Sequence, residues 1–191
     1  MTRTRALVTL FLAVVVAVAA YAVFRGTYPV VVANGTIISN ETYENKYAAA
    51  FSYYRSALAT YTDANAEFGE AERRELRRAV LEGLIEEALI HEELLRREPK
   101  ELGAVVENKI AKALADPDFP GATRTLYGLT SGGARRYLLV PQAEREILEG
   151  RLFLEKRELE EWLTAAKRSA RVTLLVPGFS WKNGGVTTLS Q

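Results

Sequence analysis

The chain has 191 residues, 48% of them hydrophobic and 26% charged, with no cysteine, one histidine and a formal net charge of +1. That length accommodates one globular domain plus a targeting segment. The missing cysteines exclude a disulfide framework and a thiolate metal site, a lone His91 excludes a two-histidine metal site on one chain, and the balanced charge excludes a broad basic nucleic-acid surface.

Residues 6–24 form an uncharged run of 19, with Arg3 and Arg5 before it and Arg25 after it. As a helix the run spans roughly 28 Å, close to the hydrocarbon thickness of a bilayer. A signal anchor over 1–25 is therefore expected, with membrane contact through residues 6–24. The arginine bias puts the N-terminus in the cytoplasm and Gly26 onward outside. A cleaved secretory signal is the alternative, with Ala20-Tyr21-Ala22 as its small-x-small site.

Tyr28 to Ser39 reads as strand, turn, strand, because Asn34-Gly35 between β-branched runs tolerates positive φ at both positions. Asn34-Gly35-Thr36 and Asn40-Glu41-Thr42 also match the N-glycosylation pattern, but a turn and a helix cap account for both. A helix follows from Ser39 or Asn40 to about Tyr61. Its stripe of Tyr43, Tyr47, Ala50, Phe51, Tyr54, Ala57, Leu58 and Tyr61 recurs at helical spacing. Residues 62–69 read as a loop.

Glu70 to Glu98 is the clearest helix. Its stripe is Leu76, Ala79, Val80, Leu84, Ala88, Leu89 and Leu95, widened by Leu81, Ile85 and Leu94. Glu70–Arg74, Glu92–Arg96 and Glu93–Arg97 are favourable i,i+4 pairs, and Gly83 marks a candidate close crossing. A helix over Pro99 to Ala115 and a short one over Phe119 to Leu129 follow, the latter with Leu126 and Leu129 inward. After the Thr130-Ser131-Gly132-Gly133 break, a long helix is expected from about Ala134 to Ala170, kinked or split at Val140 by Pro141. Arg171 to Val176 reads as a strand that shares one small sheet with the N-terminal hairpin. Residues 182–191 read as a flexible tail.

Catalytic signals are sparse. His91-Glu92-Glu93-Leu94-Leu95 lacks the second histidine of a zinc-protease motif, and no glycine-framed nucleophile accompanies it. His91 reads as a boundary residue beside the core, and paired glutamates such as Glu86-Glu87 read as a solvated face. No catalytic, cofactor or metal residue is assigned. Arg135-Arg136 is the basic pair least balanced by nearby glutamates. The Tyr/Phe stripe allows two readings, a helix face in the core or the lining of an exposed groove. In the second, Tyr43, Tyr47, Phe51, Tyr54 and Tyr61 are candidate polypeptide-binding residues, since tyrosine offers a large amphipathic contact area at low entropy cost.

Four segments in order resemble the N-terminal domain of SurA-type periplasmic chaperones and the related PrsA and PpiD folding factors. They are Val30 to Ser39 with Glu41-Thr42-Tyr43, then Leu76 to Ile90, then Leu126-Tyr127-Gly128-Leu129-Thr130 through Arg136-Tyr137-Leu138-Leu139, then Ala170 to Leu174. The resemblance covers about residues 28–181. It implies a mainly α fold, with a SurA-N-like helical domain over 26–181 that carries a short hairpin, and terminal strands paired in a small sheet. It also implies a domain that cradles unfolded polypeptide. Many members insert a parvulin prolyl-isomerase domain before the last helix. Here only eight residues separate Phe153 from Trp162, against the roughly 50 a domain needs.

The expected function is thus a membrane-anchored holdase in the periplasm or cell envelope. It would bind unfolded or newly translocated polypeptides, without nucleic acid, cofactor or covalent chemistry, and with scope for homo-oligomer or translocon contact. A structural adaptor in an envelope or translocon complex is the alternative. A peptidyl-prolyl isomerase would require the module for which the chain leaves no room.

Overall fold

The computed structural model describes residues 26–61 and 69–189, with side chains described except at 59–61. The expected anchor lies outside these residues. Among those described, no helix is long and apolar enough to cross a membrane.

The chain opens with β1 (Pro29–Ala33) and β2 (Thr36–Ser39), paired antiparallel. Asn34 and Gly35 join them at φ 49° and 97°, the left-handed pair that a two-residue hairpin needs. Asn34 is fully engaged as a turn residue. Its Oδ1 accepts from the Arg171 N–H at 2.9 Å and its Nδ2 donates to Glu92 at 3.0 Å. The first helix, α1 (Asn40–Tyr61), begins where Ser39 Oγ accepts from the Thr42 N–H at 3.3 Å, an N-cap contact.

α2 (Glu70–Arg97) is the spine. Acidic residues open it and Arg96 and Arg97 close it, matching the helix dipole. Its buried face is Leu81, Leu84, Ile85, Leu89, Ile90 and Leu94. Leu95, expected inward, is 41% exposed, and Ala79 is exposed too. Leu81, Ile85 and Leu94, taken as the stripe's margin, lie at its centre, so the stripe is rotated from the expected one. Arg97 pairs with Glu93 at 2.7 Å as expected, but Arg96 takes Glu93 at 2.8 Å rather than Glu92. Nothing stands within 4 Å of where a Cβ on Gly83 would sit. Gly83 therefore marks no close crossing.

α3 (Leu102–Leu114) turns its Leu102, Val106 and Ile110 inward. α4 (Phe119–Tyr127) ends on Gly128, which sits at φ 67° and donates to the Arg124 carbonyl at 3.1 Å, a left-handed cap suited to glycine. Leu126, expected inward, is 40% exposed.

The expected long helix is broken, but not at Val140. A short α5 (Ser131–Ala134), capped by Thr130, leads into a π-helical stretch over Arg135–Leu139 and then α6 (Val140–Leu154). Pro141 has no N–H to donate, and the widened turn before it takes up the mismatch, so the axis continues. The real stop is a Schellman cap. The Arg157 N–H reaches the Leu152 carbonyl at 2.9 Å and the Lys156 N–H reaches Phe153 at 3.0 Å, with Lys156 at φ 60°. A lysine where glycine is usual hides the stop from the sequence. α7 (Leu159–Ser169) follows directly, and no inserted domain separates it from α6.

β3 (Val172–Leu174) returns to pair antiparallel with β1, giving the order β2-β1-β3. The ends of the domain thus share a sheet as expected. The expected flexible tail is instead ordered as a second hairpin, β4 (Phe179–Lys182) and β5 (Gly185–Thr188). Its turn is Asn183-Gly184, at φ 52° and 79°, the same signal as Asn34-Gly35. Phe179 and Val186 are 9% and 3% exposed, so this hairpin is part of the core.

Two hydrophobic clusters lie along α2. One gathers β1, β2, Tyr43, the middle of α2, Phe179 and Val186. The other joins the C-terminal part of α2 to α3, α6 and α7. Trp162 touches both. Lys167 on α7 ties the packing together by reaching Glu82 at 3.0 Å and Glu86 at 2.8 Å on α2.

Candidate functional site

α1 has two differently occupied faces. On the first, Tyr43, Tyr47 and Phe51 stack in sequence with centroids 6.5 and 6.2 Å apart. Tyr43 is 2% exposed within the sheet-side cluster. Its hydroxyl is buried with no hydrogen-bond partner, and burial pushes its pKa up to about 12. The Arg77 guanidinium lies 5.0 Å over Tyr47 and that of Arg73 5.4 Å over Phe51. These cation–π contacts cover the half-buried part of the stripe. Of the five candidate binding residues, Tyr43 is thus a core residue and Tyr47 and Phe51 lie under arginines. Tyr54 is 43% exposed, and the side chain of Tyr61 lies outside the described residues.

The other face of α1 borders an open cleft of about 660 Å³. Lys46 comes from α1, with Gly83, Glu86, Glu87 and Ile90 from α2. Phe119, Ala122, Thr123, Leu126 and Tyr127 come from α4, Tyr137, Leu138 and Leu139 from the π-helical stretch, and Pro141, Gln142 and Arg145 from α6. Tyr53 stacks on Tyr127 at 5.1 Å and 8°, and Asn45 Nδ2 donates to the Tyr137 hydroxyl at 3.2 Å. Both contacts join α1 to the far wall. One wall is therefore apolar and aromatic, and the other is a rim of paired charges.

Lys46 is in direct contact with Glu87. Burial raises the Glu87 carboxyl pKa, and the Lys46 charge opposes that shift. Arg145 approaches Glu86 at 3.7 Å. With the rim's charges matched, the cleft offers a partner mainly area and shape. The absence of a side chain at Gly83 leaves its floor open. Composition gave no warning of this site, because its walls come from five elements that only the tertiary fold brings together. Leu126, expected inward, gave no signal either, since only the tertiary arrangement leaves it 40% exposed at the cleft wall.

His91 lies elsewhere, in a cavity of about 520 Å³ beside Glu107, Arg135, Arg136 and Glu144. Its Nδ1 lies 2.8 Å from the buried Glu144, and that hydrogen bond raises the imidazole pKa. It is a boundary residue, as the sequence indicates. Arg135 pairs with Glu107 and Arg136 stacks 5.3 Å over Tyr137. Among the described residues, no group of three or more His, Cys, Asp or Glu side chains could hold a metal ion.

The described residues thus form a mainly helical domain with an N-terminal hairpin, an aromatic helix, a long spine helix and a returning strand. The profile of the SurA-like N-terminal domain matches residues 2–116. That is more than half of the chain, and the chain belongs to this family. Membership places it among folding factors of the chaperone-related or prolyl-isomerase-associated kind. No curated protein and no solved structure matches the chain. The matched span takes in the hairpin and α1 to α3. The later helices and the returning strand lie beyond it.

Proposed function

We propose that the protein is a membrane-anchored, extracytoplasmic holdase that takes unfolded or newly translocated polypeptides into the cleft between α1, α4 and the π-helical stretch. The observation that carries this reading is the open apolar wall of Phe119, Leu126, Tyr127 and Leu138 beside a charge-matched rim, on a SurA-like domain. Binding of this kind uses buried area without an invariant motif, and an extended, mostly apolar segment suits it. The uncharged run 6–24 supports attachment to the membrane with the domain outside. α6 passes into α7 across four residues, which supports a binding role without a catalytic module at that point.

The test is light scattering from a chemically unfolded client mixed with the detergent-solubilised full chain. Suppressed aggregation near stoichiometric ratio is expected, and Leu126→Ser weakens it. Unchanged aggregation at several-fold excess across unrelated clients contradicts the proposal.

A further inference from the structure

A sheet with one face in water ordinarily alternates apolar inward and polar outward along each strand. The β2-β1-β3 sheet does not. Val31 shares the inward row with Ile38 and Leu174. On the opposite face Val32 stands between Ile37 and Thr173, and Leu175 follows Thr173 outward. Ile37 is 66% exposed and Leu175 52%. The three strands, PVVVA, TIIS and VTL, contain no charged residue. Edge strands are usually blunted by charge or by cover, and neither edge here, β2 or β3, carries charge.

The position of this face in the chain indicates what covers it. Tyr28 follows the end of the uncharged run at Phe24 by four residues. At a maximum of roughly 3.6 Å per residue it lies within about 14 Å of that run's end. Tyr28 is 38% exposed, and tyrosine favours the headgroup level of a bilayer. The exposed Arg171 precedes β3 and adds a positive charge beside the same face.

We infer that the outward face of this sheet rests on the bilayer that holds residues 6–24. Ile37 and Leu175 enter the boundary between headgroups and acyl chains, with Tyr28 and Arg171 at headgroup level. The inference rests on the anchored reading of residues 1–25. It also fixes how the domain presents itself, because the cleft contains no residue of this sheet and stays open while the sheet is covered.

The absence of cysteine allows clean single-site labelling of the full chain. Ile37→Cys, Leu175→Cys and, as a reference on α3, Lys112→Cys are each labelled with an environment-sensitive fluorophore. The chains are reconstituted in phosphatidylethanolamine–phosphatidylglycerol vesicles that contain a headgroup-nitroxide lipid. Labels at 37 and 175 are expected to be quenched several-fold more than the label at 112, and to be shielded from aqueous iodide. Equal quenching at all three sites, in vesicles that retain the chain through an alkaline wash, overturns the docking and leaves the anchor standing. Loss of the chain in that wash overturns the anchor and the docking together. Crosslinking of Ile37→Cys between two copies, without lipid quenching, assigns the face to a second copy and also overturns the inference.

Discussion

The two sides of α1, one with the aromatic series Tyr43, Tyr47 and Phe51 and the other with Tyr53 alone, meet different fates. On one side Tyr43 closes into the sheet-side core, and Arg77 and Arg73 lie over Tyr47 and Phe51. On the other side Tyr53 reaches across to Tyr127, and Leu126 remains 40% exposed at the wall of an open cleft. Helical periodicity identifies which residues share a face. What a face becomes depends on the element opposite it. α2 lays Arg77 and Arg73 over the first side, whereas on the second α4 and the π-helical stretch touch α1 through Tyr53–Tyr127 and Asn45–Tyr137 and leave a cleft between those contacts and α2.

Substitutions can break or sharpen this contrast. The largest effect belongs to the closed side, where Tyr43→Ala should lower unfolding free energy by about 3–5 kcal/mol, as other large aromatic truncations in cores do. Chemical denaturation checks it, and a small loss would mean that the stripe is not core. Arg77→Ala, which uncovers Tyr47, should cost about 0.5–2 kcal/mol in the same assay. Tyr43→Phe removes a buried hydroxyl that has no partner. Stability should hold or rise by about 1 kcal/mol, and a loss would reveal a hydrogen bond to that oxygen.

His91 supplies a pH test away from both sides. Its hydrogen bond to Glu144 raises the imidazole pKa above the ordinary 6.5. A folded state that holds the proton more tightly gains stability that is full below pH 6.5 and disappears as pH climbs through the raised value. With the ring about half open to water, the contribution should be about 0–1 kcal/mol. Titration of the imidazole by NMR should give a midpoint above 6.5, and Glu144→Gln should bring it back down. Client binding in the cleft should not follow this titration. The smallest stability effect belongs to the open side. Leu126→Ala should change unfolding free energy by about 0.5 kcal/mol or less, yet weaken client binding.

Much of the architecture was legible because its signals are local. Asn34-Gly35 between β-branched residues identified the hairpin, Ser39 or Asn40 the first cap, of which Ser39 is the one that accepts from Thr42, and the Leu/Ile repeat the spine. The second hairpin carries an equally strong signal in Asn183-Gly184. Its neighbours are polar and glycine-rich, and only the burial of Val186 and Phe179 shows that the segment belongs to the core. The end of α6 was hidden for a different reason, since its left-handed residue is Lys156 in place of a glycine. Pro141 attracted the expected break because the π-helical stretch that accommodates it leaves no compositional trace. The cleft was not legible at all. Its walls come from five elements, and no periodicity within one of them reports how far it stands from the next.

The central claim is that the open side of α1, and not the stacked stripe, receives polypeptide. Photo-crosslinking tests it most directly, with a photoreactive residue placed at Leu126 in one chain and at Tyr47 in another, each offered the same unfolded client. The account predicts abundant client adducts from position 126 and few from position 47. Adducts concentrated at position 47, with position 126 silent, would contradict it.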